Sequence, residues 1–119
     1  MAYFKKETGN LGESLAERFL QKSGYKILAK NLKLPLGEID VLARRKSVIV
    51  VVEVKTKSSH EFGEGYEMVN SFKKHKLIQL AKSLQIKYPR QTIRIDIISV
   101  DTSTNPPEIK HFENAVEEN

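Results

Sequence analysis

Val48-Ile49-Val50-Val51-Val52 is an unbroken run of β-branched residues, and it narrows the possible folds more than any other feature of the chain. β-branched side chains suit a pleated surface better than a helix. An apolar run without alternation reads as a strand covered on both faces, so layers above and below it are expected. The run then meets Glu53-Val54-Lys55. Charged groups at the end of a covered strand are costly unless they pair or hold a metal. Upstream, Glu38 and Asp40 alternate in a second extended segment. Side chains two apart on a strand share a face, so each segment can aim a pair of charged groups at one spot. The polar connection Arg44-Arg45-Lys46-Ser47 is short enough to imply an antiparallel hairpin between strands at Glu38–Ala43 and Val48–Thr56.

The flanking segments supply the covering layers. Gly12, Leu15, Ala16, Phe19 and Leu20 recur at helical spacing and predict a helix over Thr8–Ser23, ended by Gly24. Asn10 followed by Glu13 fits a capping-box start. At about 100° per residue, Glu13 also lies on the rim of the apolar stripe, where it can reach a sheet edge. Tyr25–Lys33 predicts a first strand, and Leu34-Pro35-Leu36-Gly37 a turn. His60, Gly63 and Gly65 mark Lys57–Glu67 as a flexible loop. Leu77, Leu80, Ala81 and Leu84 form the stripe of a second helix over Ser71–Tyr88, stopped by Pro89. Thr92–Val100 predicts a strand with Ile93, Ile95 and Ile97 on one face and Arg94, Asp96 and Ile98 on the other. Ile109–Phe112 predicts a short edge strand, and the acidic residues 113–119 a loose tail. One domain spanning residues 1–119 is expected.

Composition removes several function classes. The chain has no cysteine, which excludes disulfide frameworks and thiolate metal sites. No apolar stretch approaches the ~20 residues that span a bilayer, and MAYFKKETGN lacks the apolar core of a secretory signal. A cytoplasmic protein without a membrane partner is expected. The net charge of +5 favours a polyanionic partner. Met68 to Ile95 holds no Asp or Glu but carries Lys73, Lys74, Lys76, Lys82, Lys87, Arg90 and Arg94. A basic stretch without compensating acids is the footprint of phosphate contacts. Lys73, Lys74 and Lys76, with Arg44 and Arg45 of the hairpin turn, are therefore the candidate nucleic-acid-binding residues, and Phe62 and Tyr66 could stack on unpaired bases. A solvated helix face would explain the lysines as well.

Asp40 and Glu53 on neighbouring strands could hold a hard divalent cation, Mg²⁺ or Mn²⁺, through oxygen ligands. Such a cation stabilises charge on a phosphoryl group and lowers the pKa of a bound water. Lys55, on the same face as Glu53, could orient that water, and Glu13 could add a carboxylate from the first helix. The bland alternatives are that Glu13 only caps its helix, that Glu53 and Lys55 only pair, and that Glu38 serves the turn. Asp96 fits a structural pairing with Arg94 or a helix lysine. His60, His75 and His111 show no ligand spacing.

Asp40 followed at a hairpin's distance by Glu53-Val54-Lys55 resembles the core motif of the PD-(D/E)xK superfamily of metal-dependent nucleases, with Ile39 where the motif's name has proline. The chain more closely resembles the YraN family of small bacterial proteins. GNLGESLA at Gly9–Ala16, Gly24-Tyr25 with Ile27-Leu28, Asn31, GEID at Gly37–Asp40 and VEVK at Val52–Lys55 carry that likeness. The resemblance implies an α/β, restriction-endonuclease-like fold, a mixed central sheet flanked by helices with an αβββαβ core, related to archaeal Holliday-junction resolvases. It also implies a DNA endonuclease in which Asp40, Glu53 and Glu13 form the metal site and Lys55 completes the catalytic set. A homodimer is expected by the same analogy, because resolving a junction requires two cuts. The competing readings are a catalytically silent nucleic-acid-binding accessory protein of the same fold, and a protein- or small-molecule-binding domain.

Overall fold

The computed structural model describes residues 2–58 and 70–117, with side chains described from residue 11 onward. The elements run α1 (Ala2–Lys22), β1 (Lys26–Leu34), β2 (Gly37–Arg45), β3 (Val48–Lys57), α2 (Ser71–Lys87), β4 (Thr92–Asp101) and β5 (Glu108–Phe112). The strands form one five-stranded sheet in sequence order, β1-β2-β3-β4-β5. Only β3 and β4, joined through α2, are parallel; the other neighbours are antiparallel. The α/β architecture and its αβββαβ order, with β5 added at the edge, are as the sequence implies.

The valine run is covered on both faces. Val50 and Val52 join Ala16 and Leu20 of α1, with Val41, Ala43, Ile98 and Val100, in a core on one side of the sheet. Ile49 and Val51 join Leu77, Leu80 and Leu84 of α2, with Ile39, Leu42, Ile95 and Ile97, on the other. Burying one such aliphatic side chain contributes about 1.5–3 kcal/mol. β3 contributes to both cores at once, which fits its being wholly apolar up to Val52.

Local signals set most boundaries. Gly24, at φ 91, ends α1 in a Schellman turn: its N–H donates to Gln21 O at 3.1 Å, and Tyr25 N–H donates to Leu20 O at 2.9 Å. Asn70 caps α2 by accepting from Lys73 N–H at 2.9 Å. β1 carries a register shift between Ile27 and Ala29, and Asn31 adopts a positive φ of 50.

Two expectations need correction. The first helix begins at Ala2, not Thr8, so Asn10 and Glu13 lie inside it and the capping-box role of Glu13 falls away. The C-terminal segment, expected to be loose, is docked through residue 117. Ala115 N–H donates to Ile95 O at 2.9 Å, and Val116 is buried in the α2-side core. Ala115 and Val116, with the Asn114 N–H that donates to Asp96 Oδ1 at 2.9 Å, anchor it. The expected loop at Lys57–Glu67, with Phe62 and Tyr66, lies almost wholly outside the described residues.

Candidate functional site

β2 and β3 separate at the charged residues. Their pairing runs from the hairpin turn to Val41↔Val52 and stops. Beyond that point Gly37–Asp40 stays with β1, while Glu53–Lys57 stays with β4. The sheet thus opens into a fork with Asp40 on one prong and Glu53 on the other. A backbone N–H left without a strand partner needs another acceptor. Asp40 supplies it: its Oδ2 accepts from Val54 N–H at 2.9 Å. The same bond fixes the Asp40 carboxylate in the mouth of the fork, beside Glu53.

The fork carries unusual electrostatics. Glu53 is only 6% exposed. Burial, then a hydrogen bond with Asp40 and the charge of that neighbour, push its carboxyl up to about 7, against the pull of Lys73 and Lys55. Lys73 Nζ, from the first turn of α2, lies 3.3 Å from Glu53 Oε2. Val52 and Val54 pack toward α1, so the alternation of β3 puts Glu53 and Lys55 together on the α2 side.

Glu13 approaches from the α1 side. Burial, then the charges of Asp40 and Glu38, raise its pKa, with Lys30 opposing. Asn31, oriented with its amide nitrogen toward the carboxylates, donates to Glu13 Oε1 at 2.7 Å and to Glu38 Oε1 at 3.2 Å. α1 reaches this place because Gly12 lies flat against β3: a Cβ built on it would stand 1.8 Å from Thr56 Oγ1. Asp40 therefore has an acidic neighbour on either side, Glu53 and Glu13. Among the described residues no three Asp, Glu, His or Cys side chains are gathered closely enough to make a ready-formed metal cage. The donor chemistry of the Asp40–Glu53 pair still suits a hard cation, because Mg²⁺ commonly takes one or two protein carboxylates and fills its remaining positions with water and phosphate oxygens.

A cleft of about 290 Å³ opens beside the fork, lined by Gly37, Glu38, Asp40, Lys73, Lys76, Leu77 and Leu80. Two of its walls are lysines near the N-terminus of α2. Lys73 and Lys74 occupy a first helical turn that has no acidic residue, where the helix dipole favours anions and disfavours ammonium groups. Lys76 Nζ lies 5.6 Å over the ring of Phe72, which is 73% exposed.

The sequence profile of an uncharacterised family, UPF0102, matches residues 12–100. The chain belongs to uncharacterised protein family UPF0102. A UPF0102 protein of Dehalococcoides mccartyi is 39% identical over 120 residues, covering 99% of each chain. One from Thermodesulfovibrio yellowstonii is 42% identical over 113 residues, covering 92% of this chain and 95% of the relative. One from Caldanaerobacter subterraneus is 43% identical over 98 residues, covering 81% and 80%. Among solved structures the chain is similar to Pyrococcus furiosus SfsA in complex with Ca²⁺, at a TM-score of 0.44 and 16% identity, covering 96% of this chain and 65% of that one. The UPF0102 match begins at Gly12, whose contact with Thr56 seats α1, and it takes in both prongs of the fork.

The other candidate residues lie elsewhere. Arg44 and Arg45 sit at the hairpin turn, at the far end of β2 from the fork. Arg44 Nε donates to Lys46 O at 2.9 Å, and the Arg45 guanidinium lies 5.6 Å over the ring of Tyr25. Asp96, fully buried, accepts from Arg94 Nε at 2.8 Å and Nη2 at 2.9 Å and from Asn114 N–H at 2.9 Å, and His111 Nε2 stands 2.7 Å from its Oδ2. Burial pushes the Asp96 carboxyl up, but the hydrogen bonds from His111 and Arg94 outweigh it and leave the pKa below its ordinary value. This pairing is structural: it ties β5 and the C-terminal segment to β4, and it withdraws Arg94 from the basic surface. Residue spacing does not indicate Asn31, the Val54 N–H or Lys73 as the partner of Glu53. The only signals were an asparagine within a strand pattern and a lysine in a helix's first turn.

Proposed function

We propose that this UPF0102 protein is a metal-dependent endonuclease of the PD-(D/E)xK, restriction-endonuclease-like kind, which hydrolyses phosphodiester bonds in DNA in the cytoplasm. The observation that carries this reading is the juxtaposition of Asp40 and Glu53 at a fork in the sheet, beside a lysine-lined cleft. Two carboxylates with one raised toward neutrality form a pair that a divalent cation would relieve. Asp40 and Glu53 would hold Mg²⁺ or Mn²⁺, with Glu13 on the α1 side reaching it through water. When bound, such a cation supplies stabilisation of phosphoryl charge and a more acidic water.

The chain's own groups divide the remaining work. The Val54 N–H holds Asp40 in place. Lys55 orients the attacking water from the face it shares with Glu53. Lys73, Lys74 and Lys76 receive backbone phosphates at the end of α2 whose dipole already favours anions. The lysines of α2 would meet backbone phosphates, which carry no base sequence, so branched or otherwise shaped DNA is the favoured substrate.

The test is cleavage of linear, flapped and four-way-junction DNA with Mg²⁺ or Mn²⁺, beside Asp40→Asn and Lys55→Ala. Asp40→Asn keeps an oxygen acceptor for Val54 N–H and removes the charge, so it should lower cleavage by at least about 10²-fold while leaving the fold intact. Equal cleavage by wild type and Asp40→Asn rules the proposal out. A second reading, a silent nucleic-acid-binding accessory protein, draws on the α2 lysines and on the lack of a ready-formed three-ligand cage among the described residues. Salt-sensitive binding by wild type without any cleavage would select it.

A further inference from the structure

Lys73 sits in a position that helix energetics oppose. It lies in the first turn of α2, where the macrodipole disfavours a cation. The hydrophobic stripe of the helix does not require it there either, because Leu77, Leu80 and Leu84 carry the packing. Its ammonium reaches across the cleft instead to Glu53 Oε2, at 3.3 Å. The two ends of this contact differ in freedom. The Glu53 side chain is 7% exposed and held between Asp40 and the sheet, whereas that of Lys73 is 38% exposed and on a flexible stem. Lys76 lines the same cleft one helical turn further along.

We propose that Lys73 is an exchangeable counterion of the Asp40–Glu53 pair: it neutralises the fork when no divalent cation is present, and cation binding displaces it into the cleft to take a DNA phosphate. This rests on the endonuclease reading and adds the order of events at its site. An ammonium and a divalent cation compete for the same carboxylate oxygens, and a divalent cation approaches them to about 2.0–2.6 Å, closer than the ammonium stands. Once displaced, the Lys73 charge lies beside Lys76 at the dipole-positive end of α2, where the two ammonium groups can receive a backbone phosphate. Lysine suits this exchange better than arginine, because it is a compact point charge on a rotatable stem rather than a two-pronged clamp. Phosphate affinity thereby becomes conditional on the cation, so DNA is gripped strongly only by a protein loaded to cut it.

Removing the ammonium should then move two affinities in opposite directions. With metal-stripped protein at pH 8, Mn²⁺ binding is measured by the loss of the free-ion paramagnetic resonance signal. Lys73→Gln should bind Mn²⁺ about fivefold more tightly than wild type, the size expected from relieving a partly exposed ion pair. Lys22→Gln, which removes the same charge at the far end of α1, should not. Anisotropy of a labelled DNA junction supplies the second readout. In Ca²⁺, Lys73→Gln should bind DNA about threefold or more weakly than wild type, and in chelator the two should bind alike. Unchanged or weaker Mn²⁺ binding by Lys73→Gln overturns the exchange while leaving the endonuclease reading intact. Equal loss of DNA affinity with and without the cation overturns it too. Failure of the wild type to take up Mn²⁺, with Asp40→Asn as the comparison, overturns the metal site itself and this inference with it.

Discussion

Replacing Gly12 by alanine tests how the first helix is held at the site. A Cβ there would stand 1.8 Å from Thr56 Oγ1, 2.9 Å from Thr56 Cβ and 3.1 Å from Thr56 Cγ2. Rotating the threonine moves its Oγ1 but not its Cβ, so α1 or β3 must shift. In an unhindered helix, glycine to alanine would stabilise by about 1 kcal/mol. Overpacking at a close contact costs about 1–3 kcal/mol. The contact distances put this case at the upper end, leaving a net loss of about 1–2 kcal/mol, or about 4–8 °C in Tm for a chain of this size. Thr56→Ala removes Oγ1 and Cγ2 but leaves Cβ, so it should recover about half of the loss, read as a coupling of about 1 kcal/mol in a double-mutant cycle. Differential scanning calorimetry of the four proteins gives the answer. A Gly12→Ala protein that melts at or above the wild-type temperature would refute the argument, because helix propensity would then have won without steric opposition. The shift should also carry Glu13 away from Asp40 and reduce metal-dependent cleavage more than the loss of stability explains.

Glu53 makes the cation-free protein pH-sensitive. Its folded pKa is raised from 4.5 to about 7, so between those values the folded form holds a proton that the unfolded form has released, and stability falls as pH rises through this window. Urea midpoints in chelator should decline from pH 5 to pH 7 in wild type and stay flatter in Glu53→Gln. Asp96 has the opposite sign. Its folded pKa is lowered, so its contribution is fully present above the unfolded value of about 3.9 and is lost as pH falls through the folded one. Asp96→Asn should flatten the acid limb of the stability profile below about pH 4. Asp96→Ala, which leaves the part-buried Arg94 guanidinium without its carboxylate, should cost about 3 kcal/mol by urea denaturation at pH 7. Val116→Asp should detach the C-terminal segment and raise hydrogen exchange at Ala115, whose N–H bonds Ile95 O.

The parts of this molecule that were legible in its sequence are those written in local periodicity. Val48–Val52 announced a doubly covered strand, and the two helical stripes named the residues that cover it. The short turn before Val48 made the hairpin, and with it the approach of Asp40 to Glu53, readable from spacing alone. The fork was not readable, because strand separation depends on what each strand prefers on its other edge. Lys73 could be seen as basic, but its meeting with Glu53 is set by the path of α2 across the sheet. The start of α1 is not legible in the sequence, because Asn10 and Glu13 form a plausible cap inside a helix that continues upstream. Val116 was missed because two apolar residues in an acidic stretch give no period to detect.

Among the described residues, a sheet whose strands lie in sequence order has β1 and β5 at its two edges. One of them, β1, is poorly shaped for recruiting another strand. Lys26, Lys30 and Lys33 place like charges along it, the shift between Ile27 and Ala29 breaks its ladder, and Asn31 bends its backbone into the left-handed region. Two copies meeting edge to edge there would bring basic strands together across an irregular template, although Glu17 already pairs with Lys30 at 3.1 Å. If this protein works as a pair to sever two DNA strands, the symmetry axis should lie elsewhere than along β1.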